Sequence, residues 1–457
     1  MGLGSRISKA FSTHIVLYFI LSELTLSLLV SFSAIIAYII FGVTNNSWIV
    51  IYLLSIAIGL LIGLEIPFAT RINNEFEELR VNISNILEKD YYGSLLGGLF
   101  FAFVGLPYLG LTYTPFVLGI INFGISFWLF YELKYKLTQG VQKTLHILYA
   151  ITAIAILSGL YFAKPLVLFG EQSKYKDKII YSKQTKYQKI VITSWNEWYS
   201  LYINGNQQLS TFDEYLYHEP MVHSVMNLSD ARNNILVLGG GDGCAVREIL
   251  KYDDVKKITL VDLDPEMIEL GKSNAIFNAI NENAFQNEKV QLISKDAFTF
   301  LENSDVTYDV IIVDLPDPNN VDLNKLYTKE FYKLCYLRLS DKGVFITQSG
   351  SPYYATKAFY CINKTLETAS FHTLPLRNQI LTLGEWSWII GSKDPISLDD
   401  FNKMSFESKN LKWLNKEALP GLTAFGKPLI DTTGIEVNTI FSPTLYRYYQ
   451  QGNWDLY

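Results

Sequence analysis

The chain has 457 residues, a formal net charge of −6 and 49% hydrophobic residues, with only three cysteines and five histidines. The acidic balance and the lack of a basic stripe argue against nucleic acid as a partner and suit a cationic substrate. Cys244, Cys335 and Cys361 are odd in number and not spaced as metal ligands, so they are expected as buried thiols. No histidine cluster points to a metal.

Composition changes near residue 170. Before it, apolar runs at roughly 15–43, 48–66, 93–112, 114–133 and 144–163 are each long enough to cross ~30 Å of hydrocarbon. They lack the polar face of a soluble bundle, which predicts an N-terminal α-helical transmembrane domain over residues 1–170 with about five spans. The join between the third and fourth runs falls around Pro107 to Pro115. Residues 72–92 read as a surface helix ending at Asp90-Tyr91-Tyr92-Gly93. Glu23 and Glu65 lie inside apolar runs, where a charge is costly; Glu65 is expected to pair with Arg71 or to reach the interface. Arg6, Lys9, Arg71, Arg80, Lys89, Lys134, Lys136 and Lys143 flank alternate loops, which puts the N-terminus in the cytoplasm and would export the rest after five crossings. A nucleotide-type ligand argues the other way, and the expectation leans to a cytoplasmic second half.

Residues 171–230 form the next expected unit, a small β subdomain with a linking helix. Tyr187–Thr193 and Trp198–Ile203 read as strands, and Asn204-Gly205 is a strong hairpin signal. Tyr217-His218-Glu219 falls at the start of a helix running to Met226. From 231 to 457, strands near 235–239, 258–262, 290–293, 309–314, 343–348 and 386–391 alternate with helices. This predicts a Rossmann-like, doubly wound parallel sheet.

Ile235-Leu-Val-Leu-Gly239-Gly240-Gly241-Asp242-Gly243 ends a strand in glycines that let the backbone approach a ligand, and Ile258-Thr-Leu-Val-Asp262 ends the next in an acid suited to a ribose. Cys244 stands where a dinucleotide fingerprint needs its third glycine, so a smaller nucleoside-bearing ligand is expected. Asp242, Asp262, Asp296 and Asp314 fall at or just past four successive strand ends. The fourth continues Asp314-Leu-Pro-Asp317-Pro318, two carboxylates stiffened by two prolines. The plain alternatives are a glycine-rich turn with a solvated acid, and a proline turn whose acids cap the next helix.

Taken together, Tyr187-Gln188, Tyr217-His218-Glu219, Gly239–Gly243, Asp262, Asp296-Ala297, Asp314–Pro318, Leu326-Tyr327…Phe331-Tyr332, Gln348–Tyr353 and Gly384-Glu385-Trp386 resemble the spermidine synthase (polyamine aminopropyltransferase) family over residues 180–395. The apolar half, with Gly63-Leu-Glu65-Ile-Pro67 and Asp90–Gly93, is similar to its membrane-bound bacterial branch. The resemblance implies aminopropyl transfer from decarboxylated S-adenosylmethionine to putrescine, giving spermidine and methylthioadenosine, with no cofactor and no metal. It implies Asp314 as proton acceptor. It implies Gln188, Gly239, Asp242, Asp262, Asp296 and Ala297 on the donor side, with Asp262 on the ribose and Asp296 on the adenine amino group. Tyr217, His218, Asp242 and Asp317 would then face the polyamine. A primary ammonium with a pKa of about 10.4 is a poor nucleophile until it loses a proton, which is why carboxylates suit the task. The resemblance also implies a multi-pass cell-membrane protein in contact with the bilayer, and leaves a homodimer open. Leu315-Pro316 replaces the Ser-Ser or Ser-Thr of soluble members, and Asn204 replaces a common Asp. Two rivals remain: an S-adenosylmethionine-dependent methyltransferase, which shares the sheet and ribose acid, and a non-enzymatic polyamine sensor or transporter. The acids at 314 and 317 and the extra β segment weigh against the first, and the presence of both Asp242 and Asp314 against the second.

Overall fold

The computed structural model describes residues 1–43, 47–74, 78–406, 410–427 and 431–454. The chain divides into two compact units, Met1–Ile179 and Ile180–Tyr457.

The first unit is helical: α1 (Ile15–Val43), α2 (Ser47–Asn73), α3 (Leu79–Phe100), α4 (Gly110–Leu133) and α5 (Gln139–Gln172). Four segments among the described residues are long and apolar enough to cross a membrane, by length and composition only: Ile15–Ile40, Trp48–Asn73, Leu79–Lys136 and Gln139–Gln172. Where hydropathy predicted five runs, the third and fourth thus lie in one helical stretch of 58 residues. A straight helix of that length would reach about 87 Å, nearly three bilayer cores. It is not straight. Thr114 Oγ1 donates to the carbonyl of Gly105 at 2.8 Å, although residues nine apart in a straight helix are separated by about 13.5 Å. The chain doubles back at Gly110, whose φ of 64° and ψ of −175° leave the helical region.

Two further expectations change. The helix expected to stop at Gly93 runs on to Phe100, carried through Gly97 and Gly98 by the apolar residues around them. Arg71 does not serve Glu65: its guanidinium donates to the carbonyls of Ser8 and Phe11, both at 2.9 Å. Inside the bundle, small residues allow close approach. A Cβ on Gly119 would sit 2.0 Å from Ser31 Oγ. Outward faces carry exposed Ile51, Tyr52, Leu95, Phe103, Trp128 and Leu157.

The second unit begins with a four-stranded sheet in the order β1 (Lys178–Gln184), β2 (Lys189–Trp195), β3 (Trp198–Ile203), β4 (Asn206–Ser210). Asn204 and Gly205, at φ 51° and 88°, make the two-residue turn between β3 and β4. After α6 (Tyr215–Leu228) come β5 (Asn234–Gly239), α7 (Cys244–Leu250), β6 (Lys257–Asp262), α8 (Pro265–Ser273), β7 (Val290–Ser294), α9 (Ala297–Glu302), β8 (Tyr308–Asp314), α10 (Lys329–Arg338), β9 (Leu339–Gln348), α11 (Thr356–Thr368), β10 (His372–Ile380) and β11 (Gly384–Ser392). The seven strands lie in the order β10-β11-β9-β8-β5-β6-β7.

Five strands are parallel, but β11 pairs antiparallel with both β9 and β10, which corrects the expected all-parallel sheet. The reason is local: β10 and β11 are joined by only Leu381–Leu383, too short for the crossover a parallel pair requires. Ile235, Val237, Val310 and Ile312 face one helical layer, while Leu236, Leu238, Ile311 and Val313 face the other. Burial on both faces explains why these strands read as unbroken apolar runs. The three cysteines are free and buried.

Candidate active site

The chain runs outward from β5 to β7 on one side and from β8 to β9 on the other, so β5 and β8 flank the point where strand order reverses. Ligands of doubly wound sheets bind beyond the carboxyl ends of the strands at that point. Parallel register sets Gly239 beside Asp314. The approach is so close that a Cβ on Gly239 would lie 2.0 Å from the Asp314 carbonyl oxygen, and a φ of 84° favours glycine there in any case. A Cβ on Gly241 would likewise lie 2.8 Å from Asp262 Oδ2. The glycine run is thus a spacing device that brings three acidic strand ends together.

A cavity of about 480 Å³ opens there. Gln188, Tyr217, His218, Gly239, Asp242, Asp262, Asp296, Ala297, Asp314 and Asp317, all singled out from sequence, line its wall. Seven of its lining residues are aspartates and two are lysines, so it favours cations.

Tyr217 and His218 come from the first turn of α6. The Tyr217 hydroxyl donates to Asp314 Oδ1 at 2.8 Å. One polar atom each of His218, Asp242 and Asp314 lie within 4.8 Å of one another. Asp242 Oδ1 accepts from Cys244 N at 2.8 Å, which aims the carboxylate. Asp262 Oδ1 accepts from Asp264 N at 2.9 Å.

Electrostatics sort the acids into two kinds. Burial pushes Asp314 up to about 6, with the Asp242 charge adding and the His218 charge and Tyr217 hydroxyl opposing. Burial also pushes Asp262 and Asp317 up to about 6. Asp296 is different. Burial works to raise it, but Lys325 Nζ at 2.7 Å and Thr299 outweigh burial and hold it below its ordinary value. Desolvation works against charge on His218 too, yet Glu214, Asp242 and Asp314 raise it to about 9. His218 is therefore an imidazolium at neutral pH.

Several residues escaped the sequence. Glu214 Oε2 receives His218 Nδ1 at 2.9 Å, and both its oxygens receive Arg247 at 2.9 Å. Glu214 lies one helical turn before His218, the only signal that could have found it. Arg247 comes from a helix whose sequence carries no such mark. Lys325 pairs with Asp296 across 29 positions, beyond any local pattern. Glu219, quoted with Tyr217 and His218, turns away from the cavity and accepts from the backbone nitrogens of Lys412, Trp413 and Leu414 at 2.6–2.9 Å.

Fold and site together define a doubly wound α/β domain with a cation-favouring cleft lined by strand-end acids. Comparison with known proteins narrows this. A family model described as "Spermine/spermidine synthase domain" matches residues 214–402. The chain is 42% identical to polyamine aminopropyltransferase 2 of Aquifex aeolicus over 98% of its own length and 89% of that protein. It is 36% identical to the polyamine aminopropyltransferase of Oceanobacillus iheyensis over 100% and 89%. Among solved structures it resembles spermidine synthase from Thermotoga maritima, with a TM-score of 0.51 and 26% identity over 57% of this chain and 88% of that one. A spermidine synthase in complex with the transition-state analogue AdoDATO gives a TM-score of 0.51 at 28% identity, covering 54% and 85%. The chain belongs to the polyamine aminopropyltransferase family, and it is an enzyme.

Proposed function

We propose that the protein transfers the aminopropyl group of decarboxylated S-adenosylmethionine to putrescine, releasing spermidine and 5′-methylthioadenosine. The observation that carries this reading is that Asp242 and Asp314 face one cavity, with one polar atom of each and of His218 within 4.8 Å of one another. Asp262 takes the ribose hydroxyls. Asp296 and Ala297 take the adenine edge, where Lys325 must share or release the carboxylate. Gly239 lets the donor lie close to the sheet, and Gln188 closes over it from the small sheet. Asp242 holds the donor's amine and repels the carboxylate of ordinary S-adenosylmethionine.

Tyr217 occupies Asp314 Oδ1 and leaves Oδ2 to the acceptor nitrogen. That nitrogen gives a proton to Asp314 and attacks the carbon next to sulfur. The carbon–sulfur electrons return to sulfur, which leaves as a neutral thioether and needs no general acid. His218 lies beside both acids as a fixed cation that tempers their charge, and Asp317 reads the far end of the diamine. The helical unit is read as a multi-pass membrane domain, with the catalytic unit on the cytoplasmic side.

The full chain in detergent is to be incubated with decarboxylated donor and diamines of three to five carbons, and product masses read. A mass gain of one aminopropyl group on the four-carbon diamine is expected. Methyl transfer without aminopropyl transfer overturns the reading.

A further inference from the structure

The matched domain ends at residue 402, yet the chain returns at residues 445–450 to touch the cavity-lining Asp317. Helix α12 (Leu445–Gln450) brings Tyr449 to Asp317, and its hydroxyl donates to Oδ2 at 2.7 Å. Gln348 Nε2 donates to Oδ1 of the same carboxylate at 3.1 Å. Asp317 is only 9% exposed, and burial pushes its carboxyl up while these two donors pull it down.

The tail holds Tyr449 in turn. Trp454 Nε1 donates to the Tyr449 carbonyl at 2.7 Å, and the two rings lie 4.6 Å apart. Tyr446 N donates to Asn324 Oδ1 at 3.2 Å, which ties the same helix to the rim between Asp314 and α10. A carboxylate meant to measure a flexible dication must itself be fixed in place and in charge. Pro316 and Pro318 stiffen the backbone around Asp317 and Gln348 holds Oδ1 from within the matched stretch, but Oδ2 is held from beyond it, by Tyr449.

We propose that Tyr449 is a positioning residue for acceptor recognition: its hydroxyl holds the Asp317 carboxyl group aimed, and through it selects the distal ammonium of the diamine. The inference rests on the aminopropyl-transfer reading, since it requires a dicationic acceptor.

The test is Tyr449→Phe in the full chain, which deletes one hydroxyl and leaves the ring. KM for the four-carbon diamine rises about tenfold, the worth of a hydrogen bond to a charged group. KM for the donor and kcat stay within about twofold, a split that general loosening of the fold would not produce. The acid limb of kcat/KM for the diamine moves to higher pH, because losing a donor to a carboxylate raises its pKa. In an Asp317→Asn background Tyr449→Phe adds nothing, as two residues acting through one contact require. Equal changes in both KM values, an unmoved acid limb or additive effects overturn the proposal. If the parent protein makes no aminopropyl product, the functional reading fails first; if it does and Tyr449→Phe matches it, only this inference fails.

Discussion

Asp314 shows how the fold prepares a base. A carboxylate in water titrates near 3.9 and is too weak to take much of an ammonium's proton. Burial at the end of β8 brings it to about 6, closer to the proton it must accept. The shift stops there because Tyr217 and the His218 imidazolium stabilise the ionised form. Glu214 raises the pKa of that imidazolium: it is itself held down to about 2 by His218 and Arg247 despite burial. The charge of His218 is lost only as pH climbs through about 9, and the stability it contributes is fully present below its ordinary pKa near 6.5 and is lost through that same rise. Asp314→Asn keeps the shape and the Tyr217 contact while removing the proton acceptor. It is expected to lower kcat by about 10²- to 10⁴-fold, the usual worth of a general base, with donor affinity roughly unchanged. Steady-state rates and calorimetric titration of the donor check this, and near-parental kcat would show that another group takes the proton.

At the scale of elements, the site is a consequence of two parallel strands ending side by side. β5 and β8 put Gly239 against Asp314 only because no side chain stands between them. Gly239→Ala drives a Cβ into the Asp314 carbonyl and forces a φ of 84° on a residue that resists it. It is expected to lose about 10²-fold in kcat/KM, as for a displacement of about 1 Å at a reacting group. The variant should keep its far-ultraviolet circular dichroism, since the strands bury the same apolar surface; unchanged kcat/KM would mean the close approach is dispensable. The same locality explains what the sequence made legible. Strand ends, the hairpin at Asn204 and the glycine run are written within a few neighbouring residues, and the acids they carry reach the cavity. Strand β10 was missed because His372–Ile380 carries Pro375 and Arg377 and lacks clean alternation. The Glu214–Arg247, Asp296–Lys325 and Asp317–Tyr449 contacts join residues 29 to 132 positions apart, and no local pattern encodes them. The reversal at Gly110 falls inside the Pro107 to Pro115 join that the apolar runs marked, although both prolines sit inside helices and give it no sharper bound.

For the whole molecule, the cavity's acids make stability and ligand binding depend on pH together. Asp262, Asp314 and Asp317 titrate near 6 when folded, against about 3.9 for an unfolded aspartate. Between those values the native chain holds protons that the unfolded chain has released. The stability these groups contribute is therefore fully present below about pH 4 and is lost as pH rises through about 6. At neutral pH the free enzyme bears the cost of several buried, mutually repelling carboxylates. A dication relieves that cost, because it pairs with the ionised forms and lowers their pKa values. Binding must then release protons near pH 6, and the diamine must bind more weakly where the acids are already protonated. Thermal melting of the full chain in detergent, with and without diamine, is expected to show a larger rise in Tm at pH 7.5 than at pH 5. His218 does not blur the comparison, since its titration lies near pH 9. An equal or larger rise at pH 5 would mean that the ring of acids is not what the amine binds.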